Sequence, residues 1–116
     1  MNFGLTKLRL RGIPVMVRKL QKADIDRVAD IWLDTNLKAH DFISAQYWKR
    51  NFKLVKEMLL QAEVYVYESD QKIQGFIGLN NDYIEGIFVS DKMQSQGIGK
   101  ILLNDTKDKR NELRLN

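Results

Sequence analysis

The residues with the clearest chemical potential lie in one short stretch. An apolar run, Ile84-Glu85-Gly86-Ile87-Phe88-Val89, passes through Ser90-Asp91-Lys92-Met93 into Gln94-Ser95-Gln96-Gly97-Ile98-Gly99-Lys100. A strand that feeds a loop and then a glycine-rich helix start presents unpaired backbone N–H groups at the positive end of the helix dipole. Such a turn suits anions, phosphate above all. Glycine at 97 and 99 lets the backbone approach a bulky diphosphate with no Cβ in the way, and Lys100 adds a positive charge. On spacing alone, a glycine-eased strand-to-helix turn without a ligand reads equally well. A dinucleotide-binding fingerprint fails because the triple-glycine spacing is absent and the preceding strand closes a hairpin meander. A P-loop fails because no Gly-Lys-Ser/Thr occurs.

Composition removes several other chemistries. The 116 residues contain no cysteine, which excludes a disulfide framework, a thiolate metal site, a cysteine nucleophile and thiol redox work. One histidine, His40, leaves no room for a multi-histidine metal site, so no metal is expected. No apolar run approaches the ~18 residues of a membrane span, and the length fits one small domain. The formal charge of +4 is uneven. Residues 1–22 carry Lys7, Arg9, Arg11, Arg18, Lys19 and Lys22 with no acid, leaving 13 basic against 15 acidic side chains in the remainder. A uniformly basic nucleic-acid surface is therefore not expected. Residues 1–15 read as a solvated basic extension, and Met16 is a natural start for a domain over 16–116.

The elements that must position these residues follow from periodicity. Val15 to Leu20 reads as a strand. Asp24 is a candidate N-cap for a helix carrying Ile25, Val28, Ala29 and Trp32 on one stripe and fading near Asn36. Ser44 caps a second helix with Trp48, Phe52, Val55 and Leu59 on one stripe. The period then becomes two. Val64 and Val66 alternate with Tyr65 and Tyr67 over 62–68, and Ile73 to Leu79 and Tyr83 to Val89 follow after turns at 69–72 and 80–82. Three strands joined by tight turns form an antiparallel meander. A helix from about Gly97 to Arg110 and the beginning of a strand at Leu113–Leu115 complete the order β-α-α-β-β-β-α-β. That order predicts an α+β fold, a mixed and mostly antiparallel sheet flanked by helices.

With this arrangement in place, the chain resembles the GCN5-related N-acetyltransferases (GNAT). Their acetyl-CoA motif, Gln/Arg-x-x-Gly-x-Gly/Ala, is matched by Gln94-x-x-Gly97-x-Gly99. Ile87-Phe88-Val89 matches the family's fourth strand, and the element order from Val15 to Asn116 follows its first strand through the start of its fifth. The resemblance implies that Gln94, Ser95, Gln96, Gly97, Ile98, Gly99 and Lys100 hold the diphosphate of acetyl-CoA. It implies further that Ile87, Phe88 and Val89 line the pantetheine arm and that the N–H of Val89 polarises the thioester carbonyl, where negative charge concentrates during attack.

Amine acetylation also needs a base. Glu85 is the candidate, since strict alternation puts it on one face with Tyr83, Ile87 and Val89; a glutamate satisfied by cross-strand hydrogen bonds is the plainer reading. His40 and Phe42, in the connection between the first two helices, and Tyr83 are assigned to the acceptor. Trp32, Tyr47 and Trp48 either wall that site or pack the core. A complete domain of this family continues past the fifth strand, so the resemblance implies a C-terminally incomplete fold whose sheet a second copy could complete. The leading function is acetyl transfer from acetyl-CoA to a primary amine, small-molecule or peptidyl, in the cytoplasm. A non-catalytic acyl-CoA-binding or interaction module is the alternative, and a nucleic-acid binder using the basic arm is a third.

Overall fold

The computed structural model describes residues 6–10, 13–109 and 114–115. In chain order the elements are β1 (Thr6–Leu10), β2 (Ile13–Lys19), α1 (Ile25–Ala39), α2 (Ala45–Arg50), α3 (Phe52–Leu59), β3 (Glu63–Ser69), β4 (Lys72–Asn80), β5 (Tyr83–Val89), α4 (Ile98–Asp108) and β6 (Arg114–Leu115). Single 3-10 turns at Lys22–Asp24 and Asp91–Met93 precede α1 and α4. The six strands lie side by side in sequence order, all neighbours antiparallel except β5 and β6, which run parallel. The predicted α+β architecture is present.

Alternation sets the two faces of the sheet. Val64, Val66 and Phe76 pack with Ile25, Val28, Ala29 and Ile31 of α1 and Leu59 of α3. On the opposite face, Val15, Val17, Tyr67, Ile77, Leu79 and Ile84 pack against Ile98 and Leu102 of α4. The β3–β4 turn places Asp70 and Gln71 at φ +52° and +64°, the primed geometry whose twist matches paired strands.

Several local details differ from the periodicity reading. The first predicted strand begins at Ile13, two residues before Val15, and Thr6–Leu10 pairs with it from Thr6↔Val17 to Leu10↔Ile13. Part of the basic segment is thus a strand of the sheet. The second predicted helix is broken at Asn51, whose Nδ2 donates to Tyr47 O at 2.8 Å; an asparagine amide competes there with the helical ladder. Ser44 caps α2, its Oγ accepting from Gln46 N, as expected. The Asp24 carboxylate accepts no capping hydrogen bond from the first turn of α1. Both its oxygens are taken by Arg18 at 2.7 and 3.0 Å, and Oδ2 also accepts from Gln21 N. The end of the last predicted helix at Arg110 and the strand residue Leu113 lie outside the described residues.

Candidate active site

The loop after β5 is tied down before it reaches the glycines. Ser90 donates its N–H to Gln74 O at 2.8 Å and its hydroxyl to Gln74 Oε1 at 2.9 Å. Gln94 returns to the strand end, donating Nε2 to Val89 O at 3.1 Å. The chain then turns through two left-handed residues, Ser95 at φ +65° and Gly97 at φ +82°. Gly97 is the N-cap of α4, and a Cβ placed there meets nothing within 4 Å. Its glycine is required by conformation, while the space beside it is open. A Cβ on Gly99 would sit 3.6 Å from Ile87 Cγ2, an ordinary van der Waals contact, so the start of α4 lies against β5.

The edge of β5 is half uncovered. Among the described residues β6 pairs only with Tyr83 and Ile84, leaving Ile87 to Val89 with a strand on one side alone. Successive N–H groups of a strand point to opposite edges. Because Ser90 N–H is donated to β4, the N–H groups of Val89 and Ile87 point away from β4, toward the uncovered edge. This edge and the open N-terminus of α4 adjoin each other.

A cavity of about 640 Å³ opens on the face covered by α1 and α3. Trp32, Met58, Leu59, Phe76 and Phe88 form apolar walls, and Glu63 and Glu85 are the charged residues of its lining, which includes no lysine or arginine. Phe88 stacks on Phe76 at 4.8 Å and lies over Gly86, where a Cβ would come within 2.5 Å of its ring. Glu85 reaches this cavity through a β-bulge. Gly78 pairs with Gly86 but Leu79 pairs with Ile84, so Glu85 is the extra residue.

The sequence matches the model of the acetyltransferase (GNAT) domain over residues 29–116, three quarters of the chain. The chain belongs to the GNAT acetyltransferase family. Among GNAT relatives, the peptidyl-lysine N-acetyltransferase YiaC of Escherichia coli K12 is 30% identical over 102 residues, covering 86% of this chain and 70% of YiaC. The peptidyl-lysine N-acetyltransferase YjaB of Salmonella typhimurium LT2 is 28% identical over 77% of this chain and 62% of its own length. The solution structure of apo YjaB from Escherichia coli superposes with a TM-score of 0.77 at 22% identity, over 87% of this chain and 69% of that one. The aminoglycoside N-acetyltransferase AAC(6')-Iy in complex with CoA gives a TM-score of 0.56 at 17% identity, over 94% and 80%.

On this GNAT frame the motif residues Gln94 to Lys100 gather at the start of α4, beside Ile87 and Val89. The side chains of Ile87 and Val89 pack toward α4, whereas Phe88 packs toward α1. Glu85 therefore does not share a face with Ile87 and Val89, as unbroken alternation requires; the bulge moves it to the cavity side. His40 and Phe42 are not in the cavity lining. His40 ends α1 with its ring stacked on Trp48 at 5.6 Å and edge-on to Phe42 at 5.8 Å. Trp48 in turn meets Trp32, which does line the cavity. Tyr83 sits at the β4–β5 turn opposite Asn80, apart from the lining. The cavity residues that sequence reading did not single out include Met58, Glu63, Asn80 and Asn81; nothing in their spacing marks them, since the bulge and the α3 packing bring them together. Lys38 bridges Asp34 and Asp91 at 3.2 Å each, joining the end of α1 to the turn before the motif. Those hydrogen bonds, Asp34 first, hold its ammonium above the usual lysine range.

Proposed function

We propose that the chain transfers the acetyl group of acetyl-CoA to a primary amine, with a peptidyl lysine as the acceptor. The observation that carries this is the adjacency of two anion- and carbonyl-ready features: the open helix start at Gly97 and the outward N–H groups of Ile87 and Val89. The first-turn N–H groups of α4 and the backbone of Gln94 to Gly99 would hold the diphosphate. Ile87 would pair with the pantetheine amides, and the Val89 N–H would donate to the thioester carbonyl oxygen as it gains negative charge.

Chemistry at the other side of the edge completes the reaction. The amine enters the acidic cavity with its aliphatic stem against Trp32, Met58 and Phe88. Glu85 accepts a proton from the ammonium, directly or through one water. The freed nitrogen lone pair attacks the carbonyl carbon, forming the C–N bond. The C–S bond then breaks, the nitrogen gives up its second proton to water as the amide forms, and the departing thiolate takes a proton from that water. A cationic acceptor fits a lining with two carboxylates and no basic side chain, and the names of YiaC and YjaB identify them as peptidyl-lysine N-acetyltransferases.

Calorimetric titration of acetyl-CoA into the native chain and Gly97→Glu tests the binding half, and release of free thiol with a lysine peptide tests turnover. Saturable binding lost in Gly97→Glu, together with peptide-dependent thiol release, is expected. Binding without turnover of any amine would favour an acyl-CoA-binding module, and no binding by the folded chain would overturn the reading.

A further inference from the structure

We infer that Gln74, aimed by Arg27, is a positioning residue for acetyl transfer: through Ser90 it fixes the peptide that follows the Val89 N–H donor. This rests on the acetyltransferase reading above. The donor sits where β5 is least supported. Gly75↔Val89 is the last pair of the β4–β5 ladder, and the opposite edge from Ile87 to Val89 carries no strand among the described residues. At Ser90 the chain leaves the sheet for the turn Asp91–Met93. Strand ends of this kind open locally at little cost. An N–H group stabilises developing charge best when its direction is set before the charge appears, and a misplacement of about 1 Å costs up to about 100-fold in rate.

Gln74 closes that end twice. Its carbonyl accepts the Ser90 N–H at 2.8 Å, and its side-chain Oε1 accepts the Ser90 hydroxyl at 2.9 Å. The side-chain bond lies on the α1 side of the sheet, the face that Gln74 shares with Phe76 by alternation. Arg27 of α1 sets its polarity. Arg27 Nε donates to Ile73 O at 2.9 Å, and Nη2 reaches Gln74 Oε1 at 3.5 Å. A guanidinium carries donors only, so the amide turns its oxygen, not its NH2, toward Arg27 and Ser90. Met93 N donates to Ser90 O at 2.9 Å, which engages the last polar group of Ser90. The Val89–Ser90 peptide is held from its other side as well, since Val89 O accepts from Gln94 Nε2 at 3.1 Å. Gln94 belongs to the motif; Gln74 and Arg27 lie outside both the motif and the cavity lining. Their part is to hold the donor strand rather than to touch substrate.

The test compares acetyl transfer from acetyl-CoA to n-butylamine by the native chain, Gln74→Met, Ser90→Ala, their double variant and Ser90→Thr. Gln74→Met keeps the side-chain length and the main-chain bond but removes the amide acceptor. Each single variant is expected to lower kcat by about fivefold to tenfold, the scale of one net hydrogen bond, while KM for acetyl-CoA and for the amine stays within about twofold. The double variant should fall no further than either single one, and Ser90→Thr should keep the native kcat. Amide hydrogen exchange gives a reading independent of turnover. The Ser90 N–H should exchange about fivefold faster in Gln74→Met and in Ser90→Ala, with the amides of β3 unchanged. An unchanged kcat, additive losses in the double variant, or a rise in both KM values as large as the fall in kcat would overturn the positioning role. Each of these leaves the acetyltransferase reading standing. No turnover of any amine by the native chain would overturn both.

Discussion

A single inserted residue places Glu85. Without the slip between the Gly78–Gly86 and Leu79–Ile84 pairs, its carboxylate would sit on the α4 side, among the apolar contacts of Ile87 and Val89. The bulge turns it into the cavity instead. As the proposed base, Glu85→Gln should lower kcat by about 100-fold while acetyl-CoA affinity, read calorimetrically, stays within about twofold. An equal loss of both would point to a structural role. The type of residue was legible in the sequence and its face was not, since a period of two carries no signal for where a ladder slips. Gly97 is the opposite case: its place in Gln94-x-x-Gly97-x-Gly99 was readable, and its left-handed φ of +82° supplies the reason.

Between elements, two contacts govern how the cavity is held. The Phe88 ring occupies the space that a Cβ on Gly86 would need and stacks on Phe76. Gly86→Ala should displace the ring, lower the unfolding free energy by about 1–2 kcal/mol in a denaturant titration, and raise the amine KM. Unchanged stability and KM would show that the ring shifts freely. The second contact joins β2, the turn before α1, and β3, where Arg18 holds Asp24 at 2.7 Å and Glu68 at 2.9 Å. Burial alone raises the Asp24 carboxyl, but hydrogen bonds from Arg18 and from the Gln21 N–H outweigh it and leave it below the usual carboxylate value. Stability from this lowered carboxyl is present above the ordinary carboxylate range and is lost as pH falls through the depressed folded value. Arg18→Met should therefore cost about 3 kcal/mol at pH 7, with the difference from the native chain narrowing below about pH 4. A gap independent of pH would assign the loss to packing.

For the whole molecule, the proposed acetyl-CoA site would link binding to folding through the junction of β5 and α4. Acetyl-CoA bound only by the folded chain stabilises it by about 2.7 kcal/mol at 100 times its Kd, about 10 °C in Tm for a domain of this size. Thermal scans should show that rise in the native chain and none in Gly97→Glu; equal shifts in both would place the cofactor elsewhere. The described residues include no helix long and apolar enough to cross a membrane. The sequence by itself determined the α+β class, the three-strand meander, the glycine-turned helix start and the family, because each rests on local periodicity or on residues contiguous in the chain. Only the tertiary structure decided that Glu85 shares a cavity with Trp32 and Met58, that His40 and Phe42 stack away from it, and that part of the basic segment joins the sheet. Those outcomes depend on strand register and on packing between residues distant in the chain, which local spacing does not encode.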